Sequence, residues 1–132
     1  MATILVIDDD QAMRRLLVNS LTALKHTVID AADGREGVAL AATHKPALVI
    51  TDILMPEKEG IETMRELRQY TPSVKIIAIS GGGLSHNMLF LDLAKTLGAD
   101  ATLAKPFRPA DLINTVEALL LAADLEPKEA AS

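Results

Sequence analysis

At 132 residues, with 49% hydrophobic and 23% charged side chains, the chain is long enough to bury one compact core and shorter than two domains usually need. It contains no cysteine, which excludes disulfides, thiolate metal sites and cysteine nucleophiles. A net charge of −5 with one Tyr, two Phe and no Trp offers neither the basic footprint nor the stacking surface that nucleic-acid binding uses, so if DNA is a target another chain must bind it.

The N-terminal MATILVIDDD has no basic segment ahead of its apolar run. No apolar stretch approaches the roughly 20 residues of a membrane span. A cytoplasmic protein with no membrane partner is therefore expected. Along the chain, TILVI (3–7) reads as a first strand and runs into Asp8, Asp9 and Asp10. Asp10 suits a helix N-cap, and Met13, Leu16, Leu17, Leu21 and Leu24 recur at helical spacing as a face that covers a sheet. TVIDA (27–31) and ALVIT (47–51) are the second and third strands. Ile61, Met64 and Leu67 mark a helix that Pro72 stops, and VKIIAI (74–79) is the fourth strand. A further helix is predicted over MLFLDLAKTL (88–97), closed by Gly98, before the last strand, DATLA (100–104). After Leu121 the sequence turns small and polar, so the domain is read as 1–122 with a polar, frayed tail over 123–132. His26, His44 and His86 lack metal-ligand spacing and an evident acid partner, and all three are expected on the surface.

Short Val- and Ile-rich runs alternating with helical patterns predict strand–helix units around a parallel sheet, helices on both faces. Ligands of such sheets sit at the carboxyl ends of the strands. Those ends carry Asp8–Asp10, Asp52, Ser80 and the Lys105-Pro106 pair. Carboxylates sharing a site raise one another's pKa unless a hard cation lies among them, and oxygen-only ligands favour magnesium. A metal-bound carboxylate beside an ammonium and a hydroxyl suits phosphoryl transfer to an aspartate, with Asp52 as nucleophile.

VIDDD, TDILMPEKEGIE, IIAIS and LAKPF, in this order along almost the whole chain, resemble the receiver domain of two-component response regulators, in its single-domain, chemotaxis-regulator-like form. Pro56 and Gly60, four and eight residues after Asp52, match that family's pattern. The resemblance implies a flavodoxin-like doubly wound sheet of five parallel strands, order 2-1-3-4-5, with five helices. It implies that Asp52 accepts a phosphoryl group from a sensor histidine kinase or phosphotransfer protein. Asp9 and Asp52 would bind magnesium, with Asp8 in support and the Leu54 backbone carbonyl as third protein ligand. Ser80 and Lys105 would contact the phosphoryl oxygens, the Lys105–Pro106 bond would be cis, and Pro56 would shape the loop beneath the site. Such a protein is a phosphoacceptor switch that catalyses its own phosphoryl transfer and hydrolysis rather than an enzyme acting on a separate substrate.

The sequence departs from the family in two places. Receivers usually carry Tyr or Phe three residues before the lysine, and here that residue is Thr102. Ser80 is followed by Gly81, Gly82 and Gly83, a run that is costly to order and is expected to replace the aromatic as the moving part. In the 88–97 helix apolar residues occupy more than one face, so a partner or self-dimer contact is expected there, involving Phe90 or neighbouring leucines, with the fifth strand and the last helix. A stand-alone receiver is expected because no output domain follows Leu121. The alternatives are a flavodoxin-like small-molecule module, which three aromatics in total serve poorly, and an aspartyl-type phosphatase, which would want an acid where Leu54 stands. A receiver portion of a longer regulator, reached through the EPKEAAS tail, is the third.

Overall fold

The five apolar runs form the expected strands, β1 (Thr3–Ile7), β2 (Thr27–Ala31), β3 (Leu48–Asp52), β4 (Lys75–Ser80) and β5 (Ala101–Ala104), interleaved with helices α1 (Gln11–Thr22), α2 (Gly34–His44), α3 (Glu59–Tyr70) and α4 (Pro109–Leu125). The computed structural model describes residues 2–53, 59–80, 95–96 and 98–125. All strand pairs are parallel, in the order β2-β1-β3-β4-β5, as the flavodoxin-like reading predicts. Five helices are expected, and four lie among the described residues. The predicted 88–97 helix, with Phe90, lies outside them apart from Lys95 and Thr96, whose backbone is helical. The last helix continues to Leu125, past the start expected for the tail, and 126–132 lie outside the described residues.

Alternation along the strands divides the core in two. Leu5, Ile7, Val49, Ile76 and Ala78 pack with Ala41 of α2 and Met64 and Leu67 of α3. Ile4, Val6, Leu48, Ile50, Ile77 and Ile79 pack with Leu17 and Leu21 of α1 and Leu112 and Val116 of α4. Strand β3 is buried at every position, because both faces of a central parallel strand are covered; Leu48, Val49 and Ile50 are accordingly all apolar, and Thr51 and Asp52 are buried polar residues at its end. Gly37 of α2 sits where a Cβ would overlap the Ile7 side chain, so glycine lets this helix lie close to β1.

Helix ends follow local chemistry. Asp10 caps α1, its carboxylate accepting from the Ala12 and Met13 amides, as expected. Asp33 accepts from Glu36 N at 2.8 Å while Glu36 Oε1 accepts from Ala32 N at 3.0 Å, a reciprocal cap for α2. Helix α3 ends at Tyr70, ahead of Pro72, and Gly98 takes the positive φ of 104° that a glycine after a helix supplies.

Three expectations about exposure need correction. Leu17 and Leu21 face the sheet four residues apart, which leaves Leu16, one residue off that stripe, 47% exposed. Leu24 lies beyond the end of α1 and is 38% exposed. His26, expected on the surface, is buried. Its Nδ1 accepts from Ala2 N at 3.1 Å and its Nε2 meets Glu117 Oε1 of α4 at 3.2 Å. With Nδ1 accepting, the ring proton is on Nε2 and faces the carboxylate. The acid partner that the sequence does not display comes from a helix 91 residues away.

Candidate functional site

Strand ends position every charged group of the site. Asp8 follows β1, tied by its N–H to Ala31 O at 3.1 Å, and has no exposed surface. Its Oδ1 accepts from Asp10 N at 2.8 Å. Asp52 closes β3 in register with Ile79 and is 4% exposed. Lys105 follows β5 and precedes Pro106 through a cis peptide bond, as expected. Its ammonium donates to Asp52 Oδ2 at 3.2 Å and lies 3.7 Å from Asp8 Oδ2, close enough for ionic attraction and too far for a hydrogen bond.

Asp8 Oδ2 is buried and, among the described residues, has no hydrogen-bond partner. Burial pushes the Asp8 pKa up to about 6; the Asp10 amide and Lys105 pull it down, while Asp52 and Asp9 push it further up. Burial works against the charge of Lys105, yet Asp52 and Asp8 outweigh it and hold its pKa above the ordinary lysine value. Oxygens of Asp8, Asp9 and Asp52 lie within 4.8 Å of one another. An orphaned carboxylate oxygen in an all-oxygen cluster fits a hard divalent cation, which would satisfy that oxygen and cancel the mutual repulsion. Asp9 is the exposed member of the three.

Asp8, Asp9, Asp52 and Lys105 thus come together as expected. Ser80 ends β4 in register with Ala104, at the same sheet edge, though its hydroxyl is not among the described groups. Thr102 is half-buried on β5 opposite Ala78. The backbone of Gly60 is helical, in the first turn of α3. Leu54, Met55, Pro56, Gly81, Gly82, Gly83 and His86 lie outside the described residues. A groove of about 730 Å³ between α2 and α3, bordered by Asp33, Arg35, Glu62 and Glu66, has none of the clustered aspartates in its lining.

One contact was not anticipated. Arg14, in the first turn of α1, donates from Nη1 to the Asp8 backbone carbonyl at 2.8 Å and from Nε to Asp30 Oδ2 at 2.9 Å. The signal was available: a cation in a helix's first turn runs against the helix dipole and calls for a partner.

A doubly wound sheet of this order, with three acids and a lysine at its carboxyl edge, is the architecture of a receiver. The family model for the response regulator receiver domain matches residues 4–117, and the chain belongs to that family. Response regulator MprA of Mycobacterium ulcerans (strain Agy99) is 36% identical over 129 residues, 97% of this chain and 54% of the relative. The alkaline phosphatase synthesis transcriptional regulatory protein PhoP of Bacillus subtilis (strain 168) is 34% identical over 117 residues, 89% of this chain and 48% of the relative. The chain therefore spans about half the length of these curated relatives. Among solved structures, a CheY-like response regulator receiver domain protein from Methanospirillum hungatei JF-1 superposes with a TM-score of 0.86 at 29% identity, covering 96% of this chain and 99% of that one. Receiver domains of response regulators take phosphoryl groups from histidine kinases and generally bind magnesium at an acidic pocket; Asp8, Asp9 and Asp52 form an acidic cluster that could hold a metal ion. Among the described residues no helix is long and apolar enough to cross a membrane.

Proposed function

We propose that this chain is a magnesium-dependent phosphoacceptor switch of the cytoplasm, phosphorylated on Asp52 by a sensor histidine kinase or phosphotransfer protein. The observation that carries this reading is the Lys105 ammonium, 3.2 Å from Asp52 Oδ2 and 3.7 Å from the unsatisfied Asp8 Oδ2. An Asp52 oxygen attacks phosphorus; an O–P bond forms as the donor's N–P bond breaks, and the donor imidazole leaves with its electron pair. Lys105, held cationic by the two acids, would neutralise charge on the phosphoryl oxygens, and Ser80, whose backbone ends β4 at the same edge, would donate a hydrogen bond. Magnesium held by Asp8, Asp9, Asp52 and the Leu54 carbonyl would supply the remaining charge neutralisation. The chain would perform transfer and hydrolysis on itself, not on a separate substrate. Thr102 stands where the family usually carries an aromatic, and the Gly81–Gly83 loop would act as the moving part, read by a downstream protein or a second copy at the face of the 88–97 segment, β5 and α4. With a net charge of −5, nucleic acid is not among its own partners in this reading.

Intact-mass measurement after incubation with magnesium and a small phosphodonor tests the reading. One added phosphoryl group is expected, absent from Asp52→Asn and abolished by chelator. Incorporation that survives in Asp52→Asn would place the acceptor elsewhere. The stand-alone form belongs to this proposal, but coverage of about half of each curated relative favours a second reading, in which the same switch serves a longer regulator.

A further inference from the structure

We infer that Arg14 is a positioning residue for the acid cluster, acting from behind the metal ligands through the backbone carbonyl of Asp8. This rests on reading the cluster as a cation site. Arg14 is mostly buried, its side chain 17% exposed, and is spread between two acceptors on different elements. Nε donates to Asp30 Oδ2 on β2 at 2.9 Å, and Nη1 donates to Asp8 O, just beyond β1, at 2.8 Å. Asp30 lies in register with Val6, two residues before Asp8, so the carboxylate that orients the guanidinium is fixed to the strand that delivers the ligands.

The geometry separates the work of two cations. Lys105 faces the carboxylates of Asp8 and Asp52 directly. Among the described contacts, Arg14 meets Asp8 at its carbonyl and not at its carboxylate. The Asp8 carbonyl and the Asp9 nitrogen belong to one planar peptide unit. Pinning that carbonyl pins the plane from which Asp9, the exposed ligand, departs. On the other side of the same residue, Asp8 Oδ1 holds the Asp10 amide at 2.8 Å, and Asp10 caps the helix that carries Arg14. The acid loop is therefore closed into a ring of contacts running Asp8, Asp10, α1, Arg14 and back to Asp8. A planar fork can serve both acceptors at fixed angles, whereas a lysine's single ammonium cannot.

The test compares magnesium affinity by calorimetric titration in the parent, Arg14→Gln, Arg14→Lys and Asp30→Asn, with thermal melts and metal-free amide exchange on the same samples. Arg14→Gln is expected to weaken magnesium binding about 10-fold, the usual effect of losing a group that orients a metal ligand. Arg14→Lys should fall between parent and Arg14→Gln. Asp30→Asn, which keeps an acceptor oxygen and loses the charge, should cost about threefold, the size of a part-exposed ion pair. In the metal-free protein, exchange at the Asp10 amide should accelerate selectively in Arg14→Gln. A merely structural Arg14 would instead lower the melting temperature and speed exchange across β1 and α1 with magnesium affinity within twofold of the parent, and that result overturns the inference. No magnesium binding in the parent overturns the cation-site reading and this inference with it; binding in the parent that Arg14→Gln leaves unchanged overturns this inference alone.

Discussion

Asp8→Asn is expected to make the metal-free protein more stable at pH 7 while weakening magnesium binding at least about 10-fold. Asp8 has no exposed surface, and its pKa is pushed up to about 6 from the ordinary 3.8. For an acid so shifted, the folded state holds its proton between about pH 4 and 6 where the unfolded chain has already released it. Stability therefore falls as pH rises through that window and stays lower above it. A shift of this size corresponds to roughly 3 kcal/mol at pH 7 in the absence of a cation. Asparagine removes the buried charge and keeps an oxygen to accept the Asp10 amide now held by Oδ1. Thermal melts at pH 5 and pH 7 should show the parent losing stability relative to Asp8→Asn as pH rises. Magnesium should reverse the order at pH 7, because only the parent can bind it tightly. A metal-free variant no more stable than the parent at pH 7 would remove the argument. The same linkage predicts that magnesium affinity of the parent drops between pH 7 and 5, as protons compete for Asp8.

The second large effect lies at the opposite end of the sheet. Arg68→Met should lower stability by about 3 kcal/mol, a fall in melting temperature of roughly 10 °C for a domain of this size. The guanidinium of Arg68 donates to Pro72 O at 2.9 Å, Val74 O at 2.6 Å, Gly98 O at 2.7 Å and Asp100 Oδ2 at 2.9 Å. Asp100 Oδ2 in turn accepts from Ile76 N at 2.9 Å. One side chain of α3 thus joins the turn before β4 to the turn before β5. Methionine preserves the aliphatic stem and leaves the carbonyls and the part-buried Asp100 carboxylate without their cation. Gly98 has a φ of 104°, and a Cβ there would meet Arg68 Nε at 3.0 Å, so the turn accepts the clamp only as glycine. Arg68→Lys should recover less than half of the loss, since one ammonium cannot span four acceptors. Urea unfolding that places Arg68→Met within 0.5 kcal/mol of the parent, on the scale of an ordinary surface change, would show the clamp to be energetically idle.

Strands and site charges were legible because they are local or periodic signals. TILVI and ALVIT are apolar runs that a doubly covered sheet requires, TVIDA supplies the part-exposed edge strand, and the three match β1, β2 and β3 to within a residue. Asp10 reads as a cap because capping is decided within three residues. Asp8, Asp9, Asp52 and Lys105 could be gathered once the strands were parallel, since every strand then ends at one edge. Side chains whose environment is set across the chain were not legible. Burial of His26 depends on Glu117, 91 residues away, and Arg68 depends on Asp100, 32 residues away. Leu16 and Leu24 satisfied the helical spacing yet face outward, because a spacing of three or four admits a wider arc than the sheet covers. Arg14 stood beside an evident motif, but its two acceptors are a backbone carbonyl and a residue on another strand, and neither leaves a mark in the local pattern.

The His26 tie gives the molecule a load path. Its ring is held at one side by the amide of Ala2, immediately before β1, and at the other by Glu117 of the last helix. Strand β1 runs from that anchor to Asp8 as a fully paired central element. A pull that lifts the last helix strips the buried imidazole of its acidic partner, at a cost on the order of 1 kcal/mol, and draws Leu112 and Val116 away from the sheet. While it holds, the tie joins the last helix to the residue that precedes β1, the strand whose far end meets the first carboxylate of the cluster.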